Sequence, residues 1–188
     1  MHTIEPYYKW REYYRTDEDP LSPYYQAQYS EFHFTNHIYN FAIHPQWDNF
    51  GSDTLLHKML YVDYEQGYCI IELIGEWNDA INNDVMMFKR EVADLLIDEG
   101  VRKFVLIGEH VLNFHSSDDS YYEEWFEDTE GGWVSLVNFH GHVIEEMKGA
   151  GLANYLYMHE ELQCLDWRML KPQIMFNKIQ EILPELLV

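Results

Sequence analysis

The chain has 188 residues, enough for one domain with a substantial core and too few for two comfortable ones. Its 33 acidic residues against 12 basic ones give a formal net charge of −21, a field that repels a phosphate backbone or an anionic bilayer, so neither nucleic acid nor membrane insertion is expected. A field of this sign favours basic protein surfaces, while excess carboxylate also keeps in solution a chain that is 16% aromatic.

Cys69 and Cys164 are the only cysteines, without the spacing of a disulfide framework or zinc site, and read as buried thiols in a reducing compartment. The N-terminus lacks a basic patch followed by an apolar segment, and no later run is long enough to span a bilayer, so cytoplasmic residence is expected.

Residues 1–57 read as an aromatic-rich extension, with tyrosine pairs at Tyr7-Tyr8, Tyr13-Tyr14 and Tyr24-Tyr25 and breakers at Pro6, Pro20, Pro23 and Pro45. Alternation over Glu31–Thr35 predicts a short strand that turns at Thr35-Asn36 into Ile38–Ile43 as a hairpin. The aromatics Trp10, Phe32, Phe34, Phe41 and Trp47 either seal one face of a sheet, mediate dimerisation, or form an exposed protein-binding surface.

From Lys58 the pattern sharpens into a domain running to residue 188. Lys58–Tyr64 and Tyr68–Ile74 read as strands joined by Glu65-Gln66-Gly67, where the glycine supplies a positive φ. Asn82, Asn83 and Asp84 offer caps to a helix ending at Gly100, with Val85, Phe88, Val92 and Leu95 or Leu96 on its apolar face and Lys89, Arg90, Glu91, Asp94 and Asp98 on the other. Phe104–Ile107 is a continuous apolar run that predicts a central parallel strand. Next come Ser120–Glu123 with capping-box spacing, a strand over Trp133–Val137, a helix over His142–Lys148, a strand over Ala153–Met158, and a helix after Pro172 with Ile174, Lys178, Ile179, Ile182, Leu183 and Leu186 at helical intervals and Pro184 limiting or kinking it. The fold class is α/β, a mixed β-sheet with helices mainly on one face and right-handed crossovers.

The order of these elements meets specific residues. Cys69–Asp79 (CIIELIGEWND) resembles the strand and Gly-Glu-Leu-Asp turn of STAS domains, the anti-sigma-factor-antagonist family, with Gly75 as the glycine. Val111–Asp118 (VLNFHSSD) is similar to that family's Phe-Ile-Asp-Ser-Ser-Gly segment, with Ser116 matching the regulatory phosphorylated serine at the start of the second helix. Gly131–Val137 (GGWVSLV), His142–Met147 (HVIEEM) and Gly151-Leu152 resemble the following strand, third helix and glycine-leucine. His115 stands where the family has aspartate and Asp118 where it has glycine. The resemblance spans roughly Lys58 to Glu160. It implies a non-enzymatic regulatory module of bacterial type that docks a partner kinase or regulator through Asn113, His115, Asp118 and Asp119 and is modulated at Ser116 or Ser117.

The residues themselves leave other readings open. Ser116, Ser117 or Ser120 would serve equally as helix caps, with Asp118 and Asp119 complementing the dipole. His33 with His37, His140 with His142, and His110 with His115 lack decisive metal-ligand spacing, so neither metal nor cofactor is expected. Adjacent His115 is badly placed to act as base on Ser116, and no Gly-x-Ser-x-Gly elbow is present, so no catalytic residue is assigned. The competing class is a small-molecule or lipid-binding protein with a pocket between the extension and the sheet, and a third is a homo-oligomer.

Overall fold

The computed structural model describes residues 4–30, 32–38 and 41–183. Two short strands, β1 (His37–Ile38) and β2 (Phe41–Ala42), pair antiparallel ahead of a five-stranded sheet. That sheet contains β3 (Leu55–Asp63), β4 (Tyr68–Asn78), β5 (Lys103–His115), β6 (Trp133–Val137) and β7 (Leu156–Tyr157), adjacent in sequence order. β3 and β4 are antiparallel and the remaining pairs parallel, so the expected mixed sheet is present. Gly67 closes the β3–β4 hairpin at φ +67°, a left-handed conformation that glycine adopts without a Cβ clash.

The connection from β4 to β5 begins with a turn of helix, α1 (Asp79–Asn82), and continues through residues 84–98 as α2 (Asp84–Phe88), a π-helical turn over Lys89–Ala93, and α3 (Asp94–Asp98). Val85, Phe88, Val92 and Leu96 form its buried stripe, and Gly100 stops it at φ +94°. Lys89 does not join the solvent face as its spacing predicted: its side chain is fully buried, with Nζ 2.6 Å from Asp94 and Asp128 and 3.2 Å from Glu124. Burial alone would lower its pKa, but the hydrogen bonds it donates to those carboxylates outweigh that and raise it. Asp128 and Glu124 belong to α4 (Ser120–Asp128), so this lysine clips two helices together.

The helical run 84–98, α4 and α5 (Gly141–Gly149) cover one face of the sheet, where Leu73, Phe88, Phe104, Trp125, Leu136 and Val143 share a core. A separate core fills the other face: Tyr68, Ile70, Val105 and Val137 meet Met175, Phe176 and Ile179 of α6 (Pro172–Ile182), together with Trp167 and Trp10. Helices therefore crowd one face as expected, but the second face is closed by α6 and an N-terminal tryptophan. Tyr68 stacks on Phe176 at 3.7 Å between ring centroids, fixing α6 to β4.

Several expectations are corrected. Residues 32–36 are not strand: Ser30 Oγ accepts from the backbone N–H groups of Phe32 and His33, a local turn that competes with extension, and Phe32 stays 83% exposed. Glu31, at the start of that expected strand, and Tyr39 and Asn40, between β1 and β2, lie outside the described residues. Of the extension's aromatics, Trp10 and Trp47 are buried, whereas Phe32, Phe34 and Phe41 are exposed. β5 continues eight residues beyond Ile107 because the long strand β4 offers backbone partners as far as Asn78. The last strand is only Leu156–Tyr157, since Leu152–Asn154 form a 3-10 turn. In α6 the buried positions are Met175, Phe176 and Ile179, with Ile174 exposed, and Pro184 and Leu186 lie outside the described residues. Cys69 is buried as read, but Cys164 is exposed.

His57 on β3 is fully enclosed by the rings of Tyr24, Phe50 and Phe88, and neither ring nitrogen has a hydrogen-bond partner among the described residues. Burial, with a smaller contribution from Lys58, pushes its pKa down to about 3 from 6.5. The unfolded chain therefore binds a proton that the folded one refuses between those two values, and stability from this group falls as pH drops through that window, by about 1.4 kcal/mol per pH unit. Glu72 and Asp79, whose pKa values are raised, act in the opposite direction over part of the same range. The difference between the wild type and His57→Phe in urea unfolding at pH 4 to 7 isolates the histidine: the variant should lose this contribution to the acid-side slope.

Candidate functional site

The end of β4 is built from the bottom by a glycine. Gly75 has φ +123°, and a Cβ there would lie 2.0 Å from the Thr54 carbonyl oxygen, so only glycine lets β3 and β4 approach at that register. Three residues on, the strand delivers Asn78 and Asp79 into a polar knot. Asp79 Oδ1 accepts from Trp77 Nε1 at 3.0 Å and from the Val85 N–H at 2.8 Å, while Oδ2 accepts from Tyr122 Oη at 2.5 Å. Burial raises the Asp79 pKa to about 6 even though all three donors pull it down. Asp84 Oδ2 accepts from the Asn78 N–H at 2.7 Å, and the Asn78 side chain caps α1 by accepting from the Ile81 N–H. One carboxylate thus joins β4, the start of the helical run 84–98, and α4.

This knot sets where the next segment emerges. Residues 112–119 form a ridge at the carboxyl ends of the parallel strands, the usual place for sites in open α/β sheets. Asn113 and His115 lie at the tip of β5. Ser116, Ser117 and Asp118 follow as exposed coil, Asp119 is half-buried, and the helix begins only at Ser120. Ser116 is consequently ahead of the helix start, and no side chain caps α4 from the Asp119 N-cap position. Instead Asp118 accepts from both the N–H and the hydroxyl of Ser120, and those bonds hold its carboxyl below the usual range.

The ridge is exposed but pinned. His115 Nε2 lies 2.6 Å from Oε1 of Glu76, which is buried in β4. Tyr155 Oη donates to Asp119 at 3.3 Å, and His142 Nε2 lies 2.8 Å from the Leu112 carbonyl oxygen, with Leu112 itself 52% exposed. Beside it, Ala80, Phe114, Ser116, Glu146 and Gly149 line only a shallow surface hollow. Glu76, Tyr155 and His142 were not assigned to this site from the sequence. A signal for Glu76 exists, because a charged residue in a largely apolar buried strand demands a partner, as Glu72 in the same strand also does.

Chemically the ridge offers exposed polar and charged contacts. The His115 imidazole faces Glu76, and no imidazole hydrogen-bonds the hydroxyl of Ser116 or Ser117 among the described residues. Among those residues no group of three or more His, Cys, Asp or Glu side chains is arranged to hold a metal, and no helix is long and apolar enough to cross a membrane.

No protein-family model matches the sequence, and no curated protein does. Among solved structures, the chain is similar to the phosphorylated form of the Bacillus cell fate determinant SpoIIAA, at 14% identity over 56% of this chain and 93% of that one, with a TM-score of 0.37.

Elsewhere two polar features stand out. On the second face, buried Glu72 accepts from the Tyr7 N–H at 2.8 Å and lies 3.6 Å from Arg168, which also pairs with Glu109. Burial raises the Glu72 pKa to about 7. At the outer edge of β3, a cleft of about 510 Å³ opens between that strand and residues 6–17 and 27–29. This cleft lies where a pocket was expected between the extension and the sheet.

The Asp79 knot yields a stability test. Asp79→Ala leaves an indole N–H, a backbone N–H and a phenol buried without an acceptor, and should lower the unfolding free energy by about 3–5 kcal/mol in urea titrations. Asp79→Asn should recover part of this, because its amide oxygen still accepts.

Proposed function

We propose that the chain is a protein-interaction and regulatory module that presents residues 112–119 to a partner protein. On this reading residues 58–188 are the docking domain and residues 1–57 its extension. The observation that carries the proposal is the state of the ridge: Asn113, His115, Ser116, Ser117 and Asp118 are all exposed on one continuous segment, yet the segment is fixed by Glu76, Ser120 and Tyr155. Pre-ordering of this kind reduces the entropy lost on association, the main cost that an interface must offset. The motifs that resemble the STAS family point to a kinase or another regulator as the partner, with Ser116 or Ser117 as the phosphorylated group.

A phosphoryl group there would add about −1.5 to −2 charges next to Asp118 and Asp119, and repulsion would splay the ridge out of its docking geometry. Phosphorylation on this proposal therefore releases the partner. Two variants test it without touching the anchors, because neither the Ser116 hydroxyl nor the Asn113 amide makes a hydrogen bond among the described residues. Ser116→Asp and Asn113→Lys should leave the thermal midpoint unchanged and abolish recovery of a partner that the wild type retains from its native host. Intact-mass measurement of the native protein should show the mass of one phosphoryl group, mapped to Ser116 or Ser117. A partner held equally by both variants would sink the proposal.

A further inference from the structure

The N-terminal segment folds around the open edge of β3. Trp10 lies on one face of the sheet, Tyr14 and Tyr64 both donate to Asp19 Oδ2, at 2.7 and 2.6 Å, and Tyr24 packs on His57 on the other face. A wrap of this kind covers an edge that would otherwise offer unpaired backbone groups to another chain. It is incomplete. Asp48 pairs with His57 through both backbone hydrogen bonds, and beyond that bridge the edge at Lys58, Met59 and Leu60 borders the cleft. By strand alternation the Met59 N–H and C=O face the same way as those of His57, toward the cleft.

The walls of this cleft are unusual for a chain of net charge −21. Arg11, Arg15 and Lys58 line it, against Asp17 as the one lining carboxylate among the described residues, together with Tyr7, Tyr14 and Tyr29. The cations are not equivalent. Arg15 is forked onto Asp17, with Nε and a terminal nitrogen 3.2 and 2.6 Å from its two oxygens, and it also meets Glu18 at 3.0 Å. Lys58 is 8% exposed, 3.0 Å from Asp48 and 3.7 Å from the centre of the Tyr29 ring. Arg11 is held only loosely, 3.9 Å from Glu5 and 3.4 Å from Gln46, so its planar fork has donors to give.

The tyrosines narrow the ligand further. Their hydroxyls are committed to protein acceptors: Tyr7 to the Arg168 carbonyl, Tyr14 to Asp19, and Tyr29 to Asp48. What they can offer an occupant is the ring surface left outside the contacts of Tyr7 with Trp10 and Trp167, of Tyr14 with Tyr61, and of Tyr29 with Lys58. We propose that the cleft binds a small anion carrying a flat aromatic group, its phosphate or carboxylate on Arg11 and its ring against the tyrosines. A volume of about 510 Å³ lies within the range of small-molecule sites. The site is at the β3 edge, two strands from β5, and does not depend on the ridge at Ser116.

Calorimetric titration of the full chain with phenyl phosphate tests this, with inorganic phosphate and phenol as its two halves. Phenyl phosphate should bind saturably and more tightly than either half. Arg11→Ala, at an exposed side chain, should weaken it about tenfold, the loss of one charge-assisted hydrogen bond. Gln28→Trp, which narrows the mouth of the cleft, should also weaken binding, whereas Lys148→Ala, on α5, should not. Absence of saturable binding at millimolar phenyl phosphate would overturn the proposal, as would binding indifferent to both Arg11→Ala and Gln28→Trp. Inorganic phosphate binding as tightly as phenyl phosphate would overturn the aromatic half of the assignment.

Discussion

A buried carboxylate governs how the parts of this molecule meet. Asp79 leaves water at the end of β4 and recovers hydrogen bonds from a tryptophan, a helix N–H and a tyrosine, each on a different piece of chain. Because an unpartnered carboxylate in such a place is strongly unfavourable, the three donors are effectively compulsory, and their geometry dictates the angle of the following helix and the seat of α4. The segment 116–119 bridges β5 and α4, so its exposure and path are consequences of that knot.

The same logic recurs at the other buried polar groups. Lys89 gathers Asp94, Glu124 and Asp128 around one ammonium and joins the helical run to α4, while Glu72 takes the Tyr7 N–H and fastens the N-terminal segment to the second face. Each converts the cost of burying charge into a specific join between elements remote in sequence. His57 is an exception, as is the Trp125 indole N–H: the aromatic cage of His57 satisfies neither nitrogen among the described residues and acts by keeping the ring neutral. Lys89 and Arg168 thus sit at junctions within this acidic chain, and Arg11, Arg15 and Lys58 along the β3 cleft.

Much of the frame was legible. The β3–β4 hairpin followed from two apolar runs around Gly67, the helical run from Val85, Phe88, Val92 and Leu96, and β6 from Trp133–Val137. Each reading rested on a period that one face of one element imposes locally. Asn113 to Asp119 were picked from sequence as a segment, and they run from the end of β5 through exposed coil to α4, but Glu76, Tyr155 and His142 were not picked, because they approach from strands and helices whose separation along the chain no pattern encodes.

By itself, then, the sequence determined the alternation of strands and helices, the mixed character of the sheet and the exposed polar nature of the Ser116 segment, since apolar period and turn chemistry are local properties. Only the tertiary structure decided that β5 runs on to His115, that Lys89 is buried, that α6 and Trp10 close the second face, and that a cation-lined cleft remains beside β3. Those outcomes depend on which groups lose water together, and desolvation is settled by distant partners, not by neighbours in the chain.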